Sequence, residues 1–117
     1  MPYEEFVKQR RRWGNREPQI TISKRGNIGI NTVCDRTYLK EFDYVVYYYD
    51  RDKTTIGIKP MKEELPNAYR IKRYKNGSIV MLSAVAFLDH YQIPREKTRS
   101  YPCTWNEKKG MIEVEVG

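Results

Sequence analysis

The stretch that most constrains this chain is "QITISKRGNIGIN", Gln19 to Asn31, because much of it is written again at "YRIKRYKNGSIVM", Tyr69 to Met81. In both, branched apolar residues alternate with polar ones, the period of a half-buried strand. Both reach a turn glycine, Gly26 or Gly77, a residue free to take positive φ. At one constant offset Ile20 meets Ile71, Lys24 meets Lys75, Gly26 meets Gly77, Ile28 meets Ile79 and Ile30 meets Met81. Such self-similarity is the mark of a chain assembled from two like units.

The elements that follow keep the same order. Asn31 is suited to cap a short helix running to about Leu39. "DYVVYYY", Asp43 to Tyr49, is a run of strong β formers. Asp50 to Lys53 turns the chain, Ile56 and Ile58 lie on the return, and Pro60 ends it. In the second half Ser83 is placed to cap a helix with Ala84, Phe87, Leu88 and Tyr91 along one face. Ile93-Pro94 stops that helix. Tyr101, Cys103 and Trp105 alternate along a strand, "NEKKG" turns, and Ile112, Val114 and Val116 form the last strand. Tyr38-Leu39 meets Phe87-Leu88, and Ile56 and Ile58 meet Ile112 and Val114. The offset changes because the second copy carries the extra polar stretch "PREKTRS".

The expected fold is therefore mainly β. It is a small β-barrel-like domain of two β-β-short helix-β-β repeats about a pseudo-two-fold, with two short helices. Residues 1–18 form a basic N-terminal arm, 19–60 the first repeat, 61–68 a polar linker and 69–116 the second repeat. Ile28, Ile30, Leu39, Ile79, Leu88, Ile112 and Val114 are the expected core.

"ITISKRGNIGIN", the short helical stretch and "EFDYVVYYYDRDKTTIGIKP" together resemble the AbrB/MazE swapped-hairpin family. That family's pattern is a basic strand, a glycine turn, an Ile-rich strand, a short helix, a leucine, a Gly-Asp pair and a hairpin. The resemblance covers about residues 19 to 60, with a weaker copy at about 69 to 116. Asn31 stands where the family has a proline, and Phe42-Asp43 where it has Gly-Asp. The resemblance implies an interleaved barrel, normally made by two chains, that binds DNA as a repressor or antitoxin does. Two copies in one chain imply a monomeric pseudo-dimer or a homodimer, and a non-enzymatic transcriptional regulator.

Charge points the same way. With 22 Lys and Arg against 15 Asp and Glu, the net charge is +7. Such an excess draws polyanions, of which nucleic acid is the commonest. Catalysis has little to stand on. His90 follows Asp89, and adjacent helical residues do not face each other. No nucleophile elbow, phosphate-binding loop or metal-ligand spacing is present in the sequence. Cys34 and Cys103 read as small core residues with free thiols, so no cofactor and no metal are expected. No apolar run approaches the ~18 residues of a membrane span and no secretory leader is visible, so the expected setting is cytoplasmic.

The candidate nucleic-acid contacts fall in three places. Arg10, Arg11, Arg12 and Arg16 surround Trp13 on the arm. Lys24 and Arg25 form the first turn. Arg70, Lys72, Arg73 and Lys75 lie on the second copy's first strand. With Ile71 inward, Arg70, Lys72 and Tyr74 share the outward face, matched by Thr21, Ser23 and Arg25 in the first copy. Cations and hydroxyls both bond phosphates, and a two-stranded ribbon can enter the major groove. The expected partner is duplex DNA, with the two basic turns brought near one another. Two other readings remain. One is a single-strand binder stacking bases on Tyr44, Tyr47, Tyr48 and Tyr49. The other is a scaffold module with an acidic protein partner.

Overall fold

A computed structural model describes residues 17–74 and 79–116 of the chain. The first hairpin pairs β1 (Gln19–Ile22) with β2 (Asn27–Ile30), Ile20 opposite Ile30 and Ile22 opposite Ile28. These four isoleucines point inward and are buried. Asn31 then caps α1 (Thr32–Cys34), its Oδ1 accepting from the Cys34 N–H at 2.8 Å. A π-helical turn, Asp35–Leu39, continues the helix to the expected end and buries Leu39. The second hairpin pairs β3 (Tyr44–Asp50) with β4 (Thr55–Met61).

The second half repeats the order with two breaks. Its first strand runs as β5 (Tyr69–Arg70) and β6 (Lys72–Tyr74), interrupted at the buried Ile71. β7 (Ile79–Ser83) leads into α2 (Val85–His90). The next strand is split at the buried Cys103 into β8 (Arg99–Pro102) and β9 (Thr104–Asn106), and β10 (Met111–Glu115) closes the chain.

Two five-stranded antiparallel sheets result, in the orders β6-β7-β2-β1-β8 and β5-β3-β4-β10-β9. Each broken strand belongs to both. β5 and β6 carry the chain from the edge of the second sheet to the edge of the first, and β8 and β9 carry it back. The sheets thus close on themselves as a barrel-like body around one core. The two halves meet at four strand pairings, β2 with β7 and β1 with β8 in the first sheet, and β4 with β10 and β3 with β5 in the second. Trp105 lies opposite Ile112 and Tyr49 opposite Ile56, which makes β9–β10 the counterpart of β3–β4.

Three details depart from the sequence reading. Ile79 is 38% exposed, whereas Val80 and Leu82 are buried. The β6–β7 hairpin sets Lys72 opposite Met81 and Tyr74 opposite Ile79. A one-residue change of register moves every side chain to the other face, so Ile28 corresponds to Val80 rather than to Ile79. Pro60 does not end its strand, since β4 runs on to Met61. Beyond Ile58 β4 pairs with β3 alone, and a residue without an N–H is tolerated on an open side. Ser83 is the last residue of β7 and does not cap α2. The cap position is Ala84, without a side-chain bond, and the Ser83 carbonyl accepts from the Tyr47 hydroxyl at 2.8 Å.

The helices close opposite ends of the barrel, because they follow antiparallel neighbours, β2 and β7. Ala84, Phe87 and Leu88 form the buried face of α2, with Tyr91 partly covered beside them. Full burial of a leucine such as Leu88 contributes about 1.5–3 kcal/mol.

Candidate nucleic-acid interface

The strands of the first sheet read QITI, NIGI, KRY, IVMLS and RSYP. They contain lysine and arginine but no aspartate or glutamate. The second sheet carries Asp50, Glu113 and Glu115 in its strands. Directly opposed residues share a face in antiparallel sheets. The registers therefore lay one outward row across the whole first sheet: Lys72, Met81, Gly29, Thr21 and Ser100. Lys72 and Ser100 are exposed at its two ends. The Thr21 and Ser100 hydroxyls bond each other at 2.8 Å. Tyr74, 50% exposed, stands beside Ile79 at one end of the sheet.

Lys24 and Arg25 are exposed at the other end, on the β1–β2 turn. That turn is held from three sides. The Lys24 N–H donates to Thr98 Oγ1, and the Ala84 N–H to the Gly26 carbonyl at 2.9 Å. The Arg95 guanidinium donates to the Lys24 carbonyl and to Asp89 Oδ1. Gly26 has φ +88, and an added Cβ would lie 2.5 Å from Val85 Cγ2. The backbone is thus fixed while the two cationic side chains stay in solvent.

The sequence expectation brings the basic strands and turns of the two halves near one another; the second turn lies outside the described residues, but the strand end leading to it lies away from the β1–β2 turn. Asn27 pairs with Ser83 and Ile30 with Val80, so the β1–β2 turn and the Tyr74–Ile79 end are separated by the length of β2. At ~3.3 Å per residue that is roughly 13 Å. The reason is that β2 and β7 run antiparallel, so the chain enters them from opposite ends. The bend at Ile71 also divides the outward cations of this strand. Arg70 pairs with Tyr44 at the edge of the second sheet, and Lys72 lies on the first.

Arg73 is placed differently from the other candidates. Its guanidinium donates to Asp35 Oδ1 at 2.9 Å, to the Leu39 carbonyl at 2.8 Å and to the Phe42 carbonyl at 3.1 Å. Asp35 is buried. A cation on the last carbonyls of a helix is favourable, and here it ties β6 to the first helix. Arg10, Arg11, Arg12, Arg16 and Lys75 lie outside the described residues, as do Trp13 and the Asn76-Gly77 turn.

The tyrosine run of β3 divides by strand alternation. Tyr47 rests on Phe87 with ring centroids 4.8 Å apart, and Tyr49 on Tyr91 at 4.9 Å. Burial pushes the Tyr47 hydroxyl well above the usual tyrosine range. Tyr48 alone of this group is largely exposed, on the outward face of the second sheet. It lines an open groove with Lys53, Lys59, Lys108, Lys109 and Glu113, a surface of mixed charge.

Sequence reasoning missed Ser100 and Met81 as members of the outward row. Both become visible only through strand pairing. Cys34 and Cys103 are buried as expected, but their sulfurs also meet, at 3.5 Å. No group of three or more His, Cys, Asp or Glu suited to a metal occurs among the described residues. No helix there is long and apolar enough to cross a membrane. The chain matches no protein-family model, no curated protein and no solved structure.

Proposed function

We propose that this protein binds duplex DNA through the outward face of its first sheet and acts without catalysis, as a regulator of the AbrB-like kind. The observation that carries the reading is the charge of that face. Its five strands hold no carboxylate, expose Lys72, and end at the rigid Lys24–Arg25 turn. Asp35 and Asp89 are matched by Arg73 and Arg95 at 2.9 and 3.0 Å. Phosphates approaching this face meet cations and hydroxyls and are not repelled by strand carboxylates.

The resemblance of each half to the swapped-hairpin family supplies the class of partner. In this reading the halves arose by duplication, one chain makes the pseudo-dimer, and it works in the cytoplasm. Arg70 and the arm cations Arg10, Arg11, Arg12 and Arg16 extend the contact beyond the sheet. The single-strand alternative is weaker because its tyrosines are dispersed. Tyr47 and Tyr49 pack on α2, which leaves only Tyr44 and Tyr48 of the four on the outward face of β3.

The test is binding of duplex DNA, single-stranded DNA and RNA across a salt series. Duplex affinity should fall steeply with salt as counterions are released. Lys72→Ala and Arg25→Ala should each lower the slope of log K against log salt by about one unit. If the wild type binds no nucleic acid at low salt, the reading fails and an acidic protein partner takes its place.

A further inference from the structure

The first helix and the split strand β8–β9 meet through their cysteines. Cys34 Sγ and Cys103 Sγ are 3.5 Å apart, both buried, from positions 69 residues apart in the chain. Only this fold brings them together, since nothing in their sequence spacing pairs them. We infer that Cys34 and Cys103 are a modification site, a dithiol that closes reversibly to an intramolecular disulfide by exchange with an oxidised low-molecular-weight disulfide such as oxidised glutathione.

The surroundings give the two sulfurs different roles. Cys103 sits at the break between β8 and β9, at the barrel wall, with 6% of its surface exposed, while Cys34 has none. The hydrogen bond from Cys34 lowers the Cys103 thiol against the opposing effect of burial. The same contact, together with burial, pushes Cys34 well above the usual thiol range. Cys103 is thus the sulfur that starts exchange as thiolate. It attacks one sulfur of the oxidant and releases one low-molecular-weight thiolate, leaving a mixed disulfide. Cys34 gives up its proton and attacks the Cys103 sulfur, releasing the second thiol. Two protein thiols are oxidised, one external disulfide is reduced to two thiols, and two protons pass to the departing thiolates.

Closure needs the sulfurs to approach from 3.5 Å to a bonded distance of ~2.05 Å. Rotation about the Cys103 Cα–Cβ bond, at a position where the strand is already interrupted, can supply such a shift. The bond would then fix α1 to the place where the chain enters the barrel. Asn31 Oδ1 accepts from the Gln19 N–H, and the Cys103 N–H donates to the Pro18 carbonyl at 3.0 Å. The cross-link therefore sits at the root of residues 1–16, which carry the arm cations.

The experiment equilibrates the full-length protein in defined ratios of oxidised and reduced glutathione, folded and in urea, and reads free thiols by alkylation and intact mass. The folded chain is expected to lose both thiols as one intramolecular bond. Its equilibrium constant should exceed that of the unfolded chain by roughly a hundredfold, because a bond that stabilises a fold is favoured by it in equal measure. Thermal melting of the oxidised form should rise by about 10 °C. Cys34→Ser should trap the mixed disulfide at Cys103, read as a glutathione adduct by mass. If the folded wild type keeps both thiols under conditions that oxidise the unfolded chain, the inference is overturned. Bonds formed only between chains, or an oxidised form that melts lower, overturn it equally.

Discussion

The ring of Tyr38 lies flat on that of Trp105, with centroids 5.1 Å apart and planes 7° from parallel. Tyr38 comes from the π turn after α1, and Trp105 from β9. At the other end Phe87 of α2 meets Tyr49 of β3 edge-on, at 6.4 Å and 84°. Each helix thus reaches a hairpin strand through an aromatic pair, at counterpart positions. The angles differ because Phe87 is also wedged between Tyr47 and Tyr91.

Tyr38→Ala should destabilise the fold by about 1–3 kcal/mol, from lost apolar cover plus the stacking itself. Urea unfolding measures the loss. In a Trp13→Phe background the folded emission comes from Trp105, and it should shift to the red as water reaches the indole. An unchanged spectrum and midpoint would mean that the stack contributes nothing.

Gly26→Ala should cost about 2 kcal/mol or more. Two causes act together. The backbone there has φ +88, which a side chain rarely adopts, and the new Cβ would lie 3.0 Å from Val85 Cα as well as 2.5 Å from Cγ2. Adding Val85→Ala removes the Cγ2 clash and leaves the backbone strain. Denaturant midpoints should therefore show partial rescue by the double variant, and full rescue would refute the backbone contribution.

Tyr47 makes stability depend on alkaline pH. Burial raises its hydroxyl in the fold above the ~10 of the unfolded chain. Its neutral form is thus favoured by folding, so its contribution is fully present below pH ~10 and is lost as pH rises beyond that. Tyr47→Phe loses the bond to the Ser83 carbonyl, about 1 kcal/mol near neutrality. Melting curves of both proteins from pH 8 to 11 should converge as the wild type alone takes on this penalty. Parallel curves would count against a buried neutral hydroxyl.

The sequence made the mainly β element order legible because strand period, the Gly26 turn and the Asn31 cap are local signals. Ile20, Ile22, Ile28 and Ile30 alternate without ambiguity and are buried. "SIVML" is different, since four consecutive apolar residues fit either face. Only the pairing of Lys72 with Met81 decides that Val80 and Leu82 go inward. The outward row was half legible. Lys72 and Thr21 follow from alternation, but Ser100 joins them through β8, a strand hidden in a stretch that reads as a polar insertion. The contact between Cys34 and Cys103 and the anchoring of Arg73 to the first helix are long-range consequences of closing the barrel, and no local pattern announces either.

Arg73 and Lys72 are neighbours on β6 with opposite expected behaviour. Arg73 bonds inward to Asp35, Leu39 and Phe42, with its side chain 25% exposed. Removing it leaves the buried Asp35 carboxylate, the helix-end Leu39 carbonyl and the Phe42 carbonyl without that partner, so Arg73→Ala should cost about 2–4 kcal/mol. Arg73→Lys keeps the charge but not the planar fork that reaches several acceptors at once, and should recover only part of the loss. Lys72→Ala should leave stability within about 0.5 kcal/mol, because its exposed side chain packs no core. Binding should sort the pair the other way. Under conditions where every variant is folded, Lys72→Ala should lower the salt slope for duplex DNA by about one unit, and Arg73→Lys should leave it unchanged. Urea titrations and salt-dependent binding on the same preparations make the comparison. A lowered slope for Arg73→Lys at full folding would move Arg73 from the helix clamp to the DNA contact.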